Sequence, residues 1–253
     1  MKKVARGILV VAALGTSVAD AQSPPSAATV LANVQQFYAN ANQLTALFRQ
    51  TVTNATFNTT KVSDGQLWVA KPANLRWDYM EKINGAVMVT KSFVFNGTSL
   101  WLVNHQNKQI IQNQIQSSVL PAAVSFLTGG SALASQFNAA LNTSGAYGSK
   151  ADLVLELTPK QPSAQYKQLF FVVDPANWHV RETIVIDSNG DTSTFNFYTP
   201  DLSSTVMPSW FQVNPASLPN YKLVQINAGT VPNATPTPTA PVQSSATPPV
   251  PTP

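Results

Sequence analysis

The chain contains no cysteine. No disulfide framework can hold it, so its fold must rest on a packed core. Charge is also scarce, at 10% of residues, with a formal net charge of +4. Lys2, Lys3 and Arg6 against Asp20 account for half of that excess, leaving about +2 on the rest. There is no basic run and no alternation of arginine with aromatics, which argues against nucleic acid as a partner. Histidine occurs only at 105 and 179. Neither stands in a metal-ligand spacing, and both read as turn or surface residues. No Gly-x-Ser-x-Gly elbow, phosphate loop or Gly-x-Gly-x-x-Gly is present. Glu156, Glu182 and Asp187 read as solvent-side strand positions, although two strands can bring any two carboxylates together. The expectation is a protein that is not an enzyme and needs no cofactor or metal.

Long apolar runs are missing too. The longest, Gly7 to Val18, is about a dozen residues, against the roughly 20 that a spanning helix needs. It follows a basic start and precedes Ala19-Asp20-Ala21, a small-x-small cleavage pattern. Residues 1–21 are therefore expected to be a signal peptide cut after Ala21, giving a soluble exported chain. No cysteine stands at the cut to carry a lipid. At the other end, residues 230–253 are rich in Pro, Thr and Ala, with proline at 232, 236, 238, 241, 248, 249, 251 and 253. Such a segment cannot bury a core and is expected to be extended or disordered. One domain over 22–229 remains.

Within it, Val30, Leu31, Val34, Phe37, Tyr38 and Ala41 recur at spacings of three and four, predicting an amphipathic helix over Ser26 to Asn42. Alternation begins at Leu44 to Thr53, with Leu47 as the pivot. The clearest strand is Leu75 to Met80, with Leu75, Trp77 and Tyr79 on one face and Arg76 and Asp78 on the other. Gly65 to Ala70, Val87 to Phe95, Ser99 to Val103 and Lys108 to Ile115 also read as strands. Asn96-Gly97 predicts a type I′ hairpin turn. Leu120 to Leu127 reads as a short helix stopped by Gly129-Gly130, and Ser131 to Leu141 as another, with Leu133, Phe137 and Leu141 on one side. Strands resume at Asp152–Thr158, Gln168–Asp174, Val180–Asp187, Thr192–Tyr198 and Phe211–Val213. The implied class is mainly β: an incomplete, strongly curved antiparallel β-barrel whose concave side is closed by helices.

Aromatics are plentiful on these strands, among them Trp68, Trp77, Phe93, Phe95, Trp101, Phe195 and Phe197. They are either ordinary core or the lining of a site that accepts an acyl chain, and composition does not separate the two.

Gly65-Gln-Leu-Trp-Val-Ala-Lys-Pro72 followed by Leu75-Arg-Trp-Asp-Tyr79 resembles the hallmark of the LolA family, periplasmic carriers of outer-membrane lipoproteins. Phe48-Arg-Gln50 resembles the family's Phe-x-Gln. Phe95-Asn-Gly-Thr-Ser-Leu-Trp-Leu102 resembles its hairpin, with Val103 where the family has Tyr. Leu120 to Leu127 resembles its lid helix. The resemblance spans about residues 28–213. It implies an unclosed barrel with a helical lid over a hydrophobic cavity that holds acyl chains. Cavity positions would be Leu67, Val69, Leu75, Trp77, Tyr79, Phe195 and Phe197; the lid would carry Val124, Phe126 and Leu127. Lys71 stands where the family has the arginine that latches the lid, and lacks its planar fork. Implied partners are acylated lipoproteins, an inner-membrane lipoprotein-releasing ABC transporter and an outer-membrane receptor, met as a periplasmic monomer. The missing cysteine argues against the anchored receptor of the same fold. A binder or sensor of another lipid, and a wall-associated structural protein using the tail, stay open. On this reading Leu75→Glu is expected to block loading or release while leaving the fold intact, checked by lipid transfer.

Overall fold

The structure, a computed structural model, describes residues 24–114, 126–128, 133–163 and 166–226. The expected signal peptide, the Pro-rich tail and Val124 lie outside those residues.

Helix α1 (Ala27–Asn40) starts where the sequence calls for it. Ser26 caps it, its hydroxyl accepting the Thr29 N–H at 3.1 Å. The three-and-four spacing buries Val30, Leu31, Val34 and Tyr38 on one side. Among the described residues, twelve strands follow in one sheet: β1 (Gln43–Asn54), β2 (Thr59–Ala70), β3 (Asn74–Ile83), β4 (Ala86–Asn96), β5 (Ser99–Asn104), β6 (Gln109–Gln114), β7 (Phe137–Leu141), β8 (Leu153–Pro159), β9 (Gln168–Val173), β10 (Val180–Ile186), β11 (Thr192–Asp201) and β12 (Lys222–Ile226). Their order across the sheet is β12-β6-β5-β4-β3-β2-β1-β11-β10-β9-β8-β7. Neighbours are antiparallel except β12, which runs parallel to β6. The edges β12 and β7 do not pair with each other, so the sheet is open.

The sheet is nevertheless curled. β3 and β11 are separated by β2 and β1. Three strand spacings make about 14 Å in a flat sheet. Yet the rings of Trp77 on β3 and Phe195 on β11 lie 5.3 Å apart, edge to face. Only a face that bends inward brings them into contact. That concave face carries the main core, shared with α1, with Phe126 and Leu127, and with Leu133 of helix α2 (Leu133–Gln136). The outer face carries two smaller cores. One joins Val94, Trp101, Val103 and Ile110 to Val206 and Phe211; the other joins Val154, Phe170, Val172 and Ile184.

Several local expectations change. The hairpin at Asn96-Gly97 forms, but its central residues are Gly97 and Thr98, and only Gly97 has positive φ, at 94°. Asn96 instead accepts the Thr98 and Ser99 N–H groups on its side-chain oxygen. The type I′ turn lies at Asn84-Gly85, with φ of 50° and 87°, between β3 and β4. The helix expected over Ser131 to Leu141 stops at Gln136, and Phe137–Leu141 becomes the edge strand β7, paired with β8. Phe211–Val213 is not a strand: Pro208–Phe211 forms a 3-10 turn that seats Phe211 in the outer core. Of the helix expected over Leu120 to Leu127, only the end is described, as part of a 3-10 turn at Phe126–Thr128. Leu47 sits within β1, outward and exposed, beside a register shift against β11.

One position governs the fit of β1, β2 and β3. Gly65 pairs with Phe48 on one side and Tyr79 on the other. A Cβ built there would stand 2.1 Å from the Asp78 carbonyl oxygen and 2.4 Å from the tip of the Phe48 ring. Phe48 therefore occupies the space of the absent side chain. Gly65→Ala is expected to push the ring or the strands apart and cost about 1–3 kcal/mol, the range for an overpacked core. Urea denaturation measures it. An unchanged midpoint would show that the contact gives way freely.

Candidate binding site on the concave face

Strand register arranges the concave side chains in rows. The first row is Leu44, Val69, Leu75 and Phe95; the next is Ala46, Leu67, Trp77 and Phe93. The third is Phe197, Phe48, Gly65, Tyr79 and Lys91. Beyond it come Phe195, Gln50 and Ser63, then Ser193, Val52 and Lys61. Strand alternation puts every second residue on this face, so the rows follow from sequence parity once the pairing is set.

All seven expected cavity residues meet here. Leu67, Val69, Leu75, Trp77, Tyr79, Phe195 and Phe197 belong to the main core, each less than a tenth exposed. Phe48 binds them together. Its ring lies 4.4 Å from Trp77 and 5.2 Å from Tyr79, centroid to centroid. Leu75 is deep in this face, at 5% exposure. A carboxylate there would be buried without a partner, so Leu75→Glu would disrupt the fold of this face and not leave it intact as the sequence suggests.

Phe126 and Leu127, the two described residues of the expected lid, are buried against the same face. Phe126 packs against Tyr38 of α1 at 4.9 Å and Phe171 of β9 at 4.6 Å. Leu127 is buried beside it. Lys71, by contrast, lies in the turn after β2. Its ammonium donates to the Ala39 carbonyl in the last turn of α1, and its backbone N–H to the Asn42 carbonyl at 2.9 Å. A cation at a helix C-terminus meets the unsatisfied carbonyls and the negative dipole end. Among the described residues, Lys71 holds the helix and makes no hydrogen bond to Phe126–Thr128.

Polar groups enter at the third row. The Tyr79 hydroxyl donates to Gln50 Oε1 at 2.7 Å, and Gln50 Nε2 donates to Ser193 Oγ at 2.7 Å. Burial pushes the Tyr79 hydroxyl well above the ordinary tyrosine range, so it stays a neutral donor. Trp77 Nε1 is buried near that hydroxyl but meets no acceptor in hydrogen-bond geometry. Lys91 Nζ stands 5.9 Å from the Tyr79 ring centroid. Sequence reading quotes Gln50 in a motif without giving it a role, and passes over Lys91 and Lys61. The available signal is a polar residue at an inward position of an alternating strand: Leu44, Ala46 and Phe48 point in, and Gln50 follows them.

Neither histidine is on this face. His105 Nδ1 meets the Tyr221 hydroxyl at 2.9 Å, beneath the outer core. His179 Nδ1 lies 2.5 Å from Asn177 Oδ1 in a turn. Glu156 accepts from Asn142 and Gln168, and Asp187 accepts the Asn189 and Asp191 N–H groups, so these carboxylates serve local structure. Among the described residues, no group of three or more His, Asp and Glu could hold a metal, and no helix is long and apolar enough to cross a membrane.

Comparison with curated proteins finds no match. Among solved structures, an uncharacterized conserved protein of Thermus thermophilus shares the fold at TM-score 0.50 and 9% identity, covering 79% of this chain and 99% of that one. A LolA superfamily protein of Nitrosomonas europaea aligns at TM-score 0.38 and 13% identity, over 75% of this chain and 99% of its own. A putative outer membrane lipoprotein-sorting protein domain of Vibrio parahaemolyticus gives TM-score 0.41 and 13% identity, over 76% and 99%. The family model described as outer membrane lipoprotein carrier protein LolA matches residues 39–214, from the end of α1 through the segment that covers the outer core. With its curled open sheet and its four motifs in order, the chain belongs to the LolA family.

Proposed function

We propose that this chain is a periplasmic carrier that shelters the acyl chains of lipoproteins on its concave face between the inner and the outer membrane. One observation carries the reading: Leu67, Val69, Leu75, Trp77, Tyr79, Phe195 and Phe197 converge with Phe126 and Leu127 on one curled apolar face. Each methylene taken from water onto such a face is worth about 0.8 kcal/mol, so one long acyl chain supplies ample affinity. No covalent step is required, and no cofactor. The protein favours the loaded state when side chains around Phe126 and Leu127 separate and the ligand covers the surface they leave. Affinity stays moderate, because separating that packing costs free energy that binding must offset. The chain would take its cargo as a monomer from an inner-membrane ABC transporter and pass it to an outer-membrane receptor.

The test uses a synthetic triacylated lipopeptide and the same peptide without acyl chains, added to the full mature chain. Trp77 sits among the lining residues, so its emission reports occupancy. The acylated peptide is expected to shift that emission and the deacylated peptide to leave it unchanged. Equal responses, or none, would sink the assignment.

A further inference from the structure

The concave face holds two polar atoms that nothing else in the chain satisfies. Among the described residues, Trp77 Nε1 and Thr183 Oγ1 are the buried side-chain nitrogen and oxygen atoms left without a hydrogen-bond partner. Other buried polar groups are served: Gln50 by Tyr79 and Ser193, Asp78 by Arg76. Thr183 is fully buried on β10. Ile184 belongs to an outer core and Val185 to the main one, so alternation turns Thr183 inward. β10 pairs with β9 on one side and β11 on the other, which engages the nearby backbone carbonyls in the two ladders. A valine of the same shape would fill this place without stranding a hydroxyl, whose burial unpaired costs free energy.

Both residues flank one ring. Phe195 is the direct cross-strand partner of Thr183, and its ring meets the Trp77 ring edge to face at 5.3 Å. On the other side Thr183 pairs with Phe171, whose ring lies 4.6 Å from that of Phe126. A guest that displaced Phe126 would come next upon Phe171 and Thr183. The two atoms call for one kind of partner. An indole N–H only donates, and a hydroxyl has one proton to donate. The Tyr79 hydroxyl near the indole gives its own proton to Gln50 and stands outside bonding geometry for the indole. The complement is an uncharged acceptor oxygen in apolar surroundings, the carbonyl of an ester or an amide. A bare methylene chain leaves both atoms stranded. A carboxylate would bring a charge to a row in which Phe171, Thr183 and Phe195 offer no cation.

We infer that Thr183 and Trp77 form a carbonyl subsite on either side of Phe195, so that the concave face selects chains joined through an ester or amide carbonyl over alkyl chains of equal length. This rests on the reading of that face as an acyl-binding site and adds the group by which the guest is recognised. Apolar burial is non-directional, so any methylene can occupy any position along the apolar trough. Two donors at fixed places set where the chain ends and its head begins. A ligand without the carbonyl leaves them unpaired, the case in which a site built for hydrogen bonding discriminates most strongly.

The test compares dioctanoylglycerol with the dioctyl ether of glycerol, whose chains are joined without a carbonyl. Each is titrated into the full mature chain by calorimetry. The ester is expected to bind about tenfold tighter, the worth of one or two neutral hydrogen bonds. In Thr183→Val, and separately in Trp77→Phe, that margin is expected to shrink several-fold while the affinity for the ether holds. Thr183→Ser keeps the hydroxyl and is expected to keep the margin. Ligand-free Thr183→Val is expected to melt no lower than the unaltered chain, because only an unpaired hydroxyl is lost. Equal binding of the two lipids by the unaltered chain overturns the subsite and spares the acyl site. Binding of neither lipid overturns both. A margin unmoved by both Thr183→Val and Trp77→Phe refutes the assignment to these residues. A lowered Tm for Thr183→Val shows a hydroxyl already satisfied in the free protein, by a buried water, and refutes it as well.

Discussion

The seating of the Phe48 ring on Gly65 is the contact on which the rest of the concave face depends. Because position 65 has no side chain, β1 can lay an aromatic ring across β2 and reach β3. Trp77 then leans the other way, over β2 and β1, to meet Phe195 and Phe197 on β11. A ring that crosses a strand pulls the strands on either side toward each other. The curl of the sheet is thus built from side chains too large for a flat arrangement. An Ala or Val at 65 would force the ring upright and flatten the trough. The glycine that opens the family's hallmark motif has a mechanical reason to be there in this chain.

Much of this is legible in the sequence, for identifiable reasons. Leu75 to Tyr79 alternates strictly because β3 is central and has one face on the main core. Ser26 announces α1 because a hydroxyl satisfies an N–H that has no other partner. The failures are as informative. Leu133, Phe137 and Leu141 recur at four and four, which imitates a helix, but pairing with β8 turns the second half into an edge strand. Edge pairing is a tertiary event, and Asn-Ala-Ala-Leu carries little local preference against it. β12 escapes a sequence reading because its partner β6 is distant in sequence and runs parallel, so no turn between them marks the pairing. The Asn84-Gly85 turn, by contrast, is readable, yet Asn96-Gly97 draws the same prediction and does not fulfil it.

The site divides in the same way. Its apolar members stand on regular alternation and on motifs, and both survive in the structure as one cluster. Its polar members do not form a motif. Gln50, Ser193, Lys91 and Lys61 come from separate stretches and share a face only through register. A polar residue in a strand reads as solvent-facing unless the parity of its neighbours is followed, and a bulge such as the one between Tyr79 and Met80 resets that parity. Lys71 shows the converse. Its motif position is plain, but the carbonyl it reaches belongs to α1.

That last contact bears on kinetics. α1 is fastened near its C-terminus by Lys71, and the Tyr38 hydroxyl accepts the Val180 N–H at 3.1 Å, tying the same turn to β10. Moving this helix aside would break a charged hydrogen bond and a buried one together. Phe126 and Leu127 are held by side-chain packing alone among the described contacts. Under the proposed function, α1 would serve as the fixed wall, and Phe126 and Leu127 as the side chains that give way. A guest's residence would then be set by the dwell time of two hydrophobic side chains, a quantity that evolution can tune one methylene at a time.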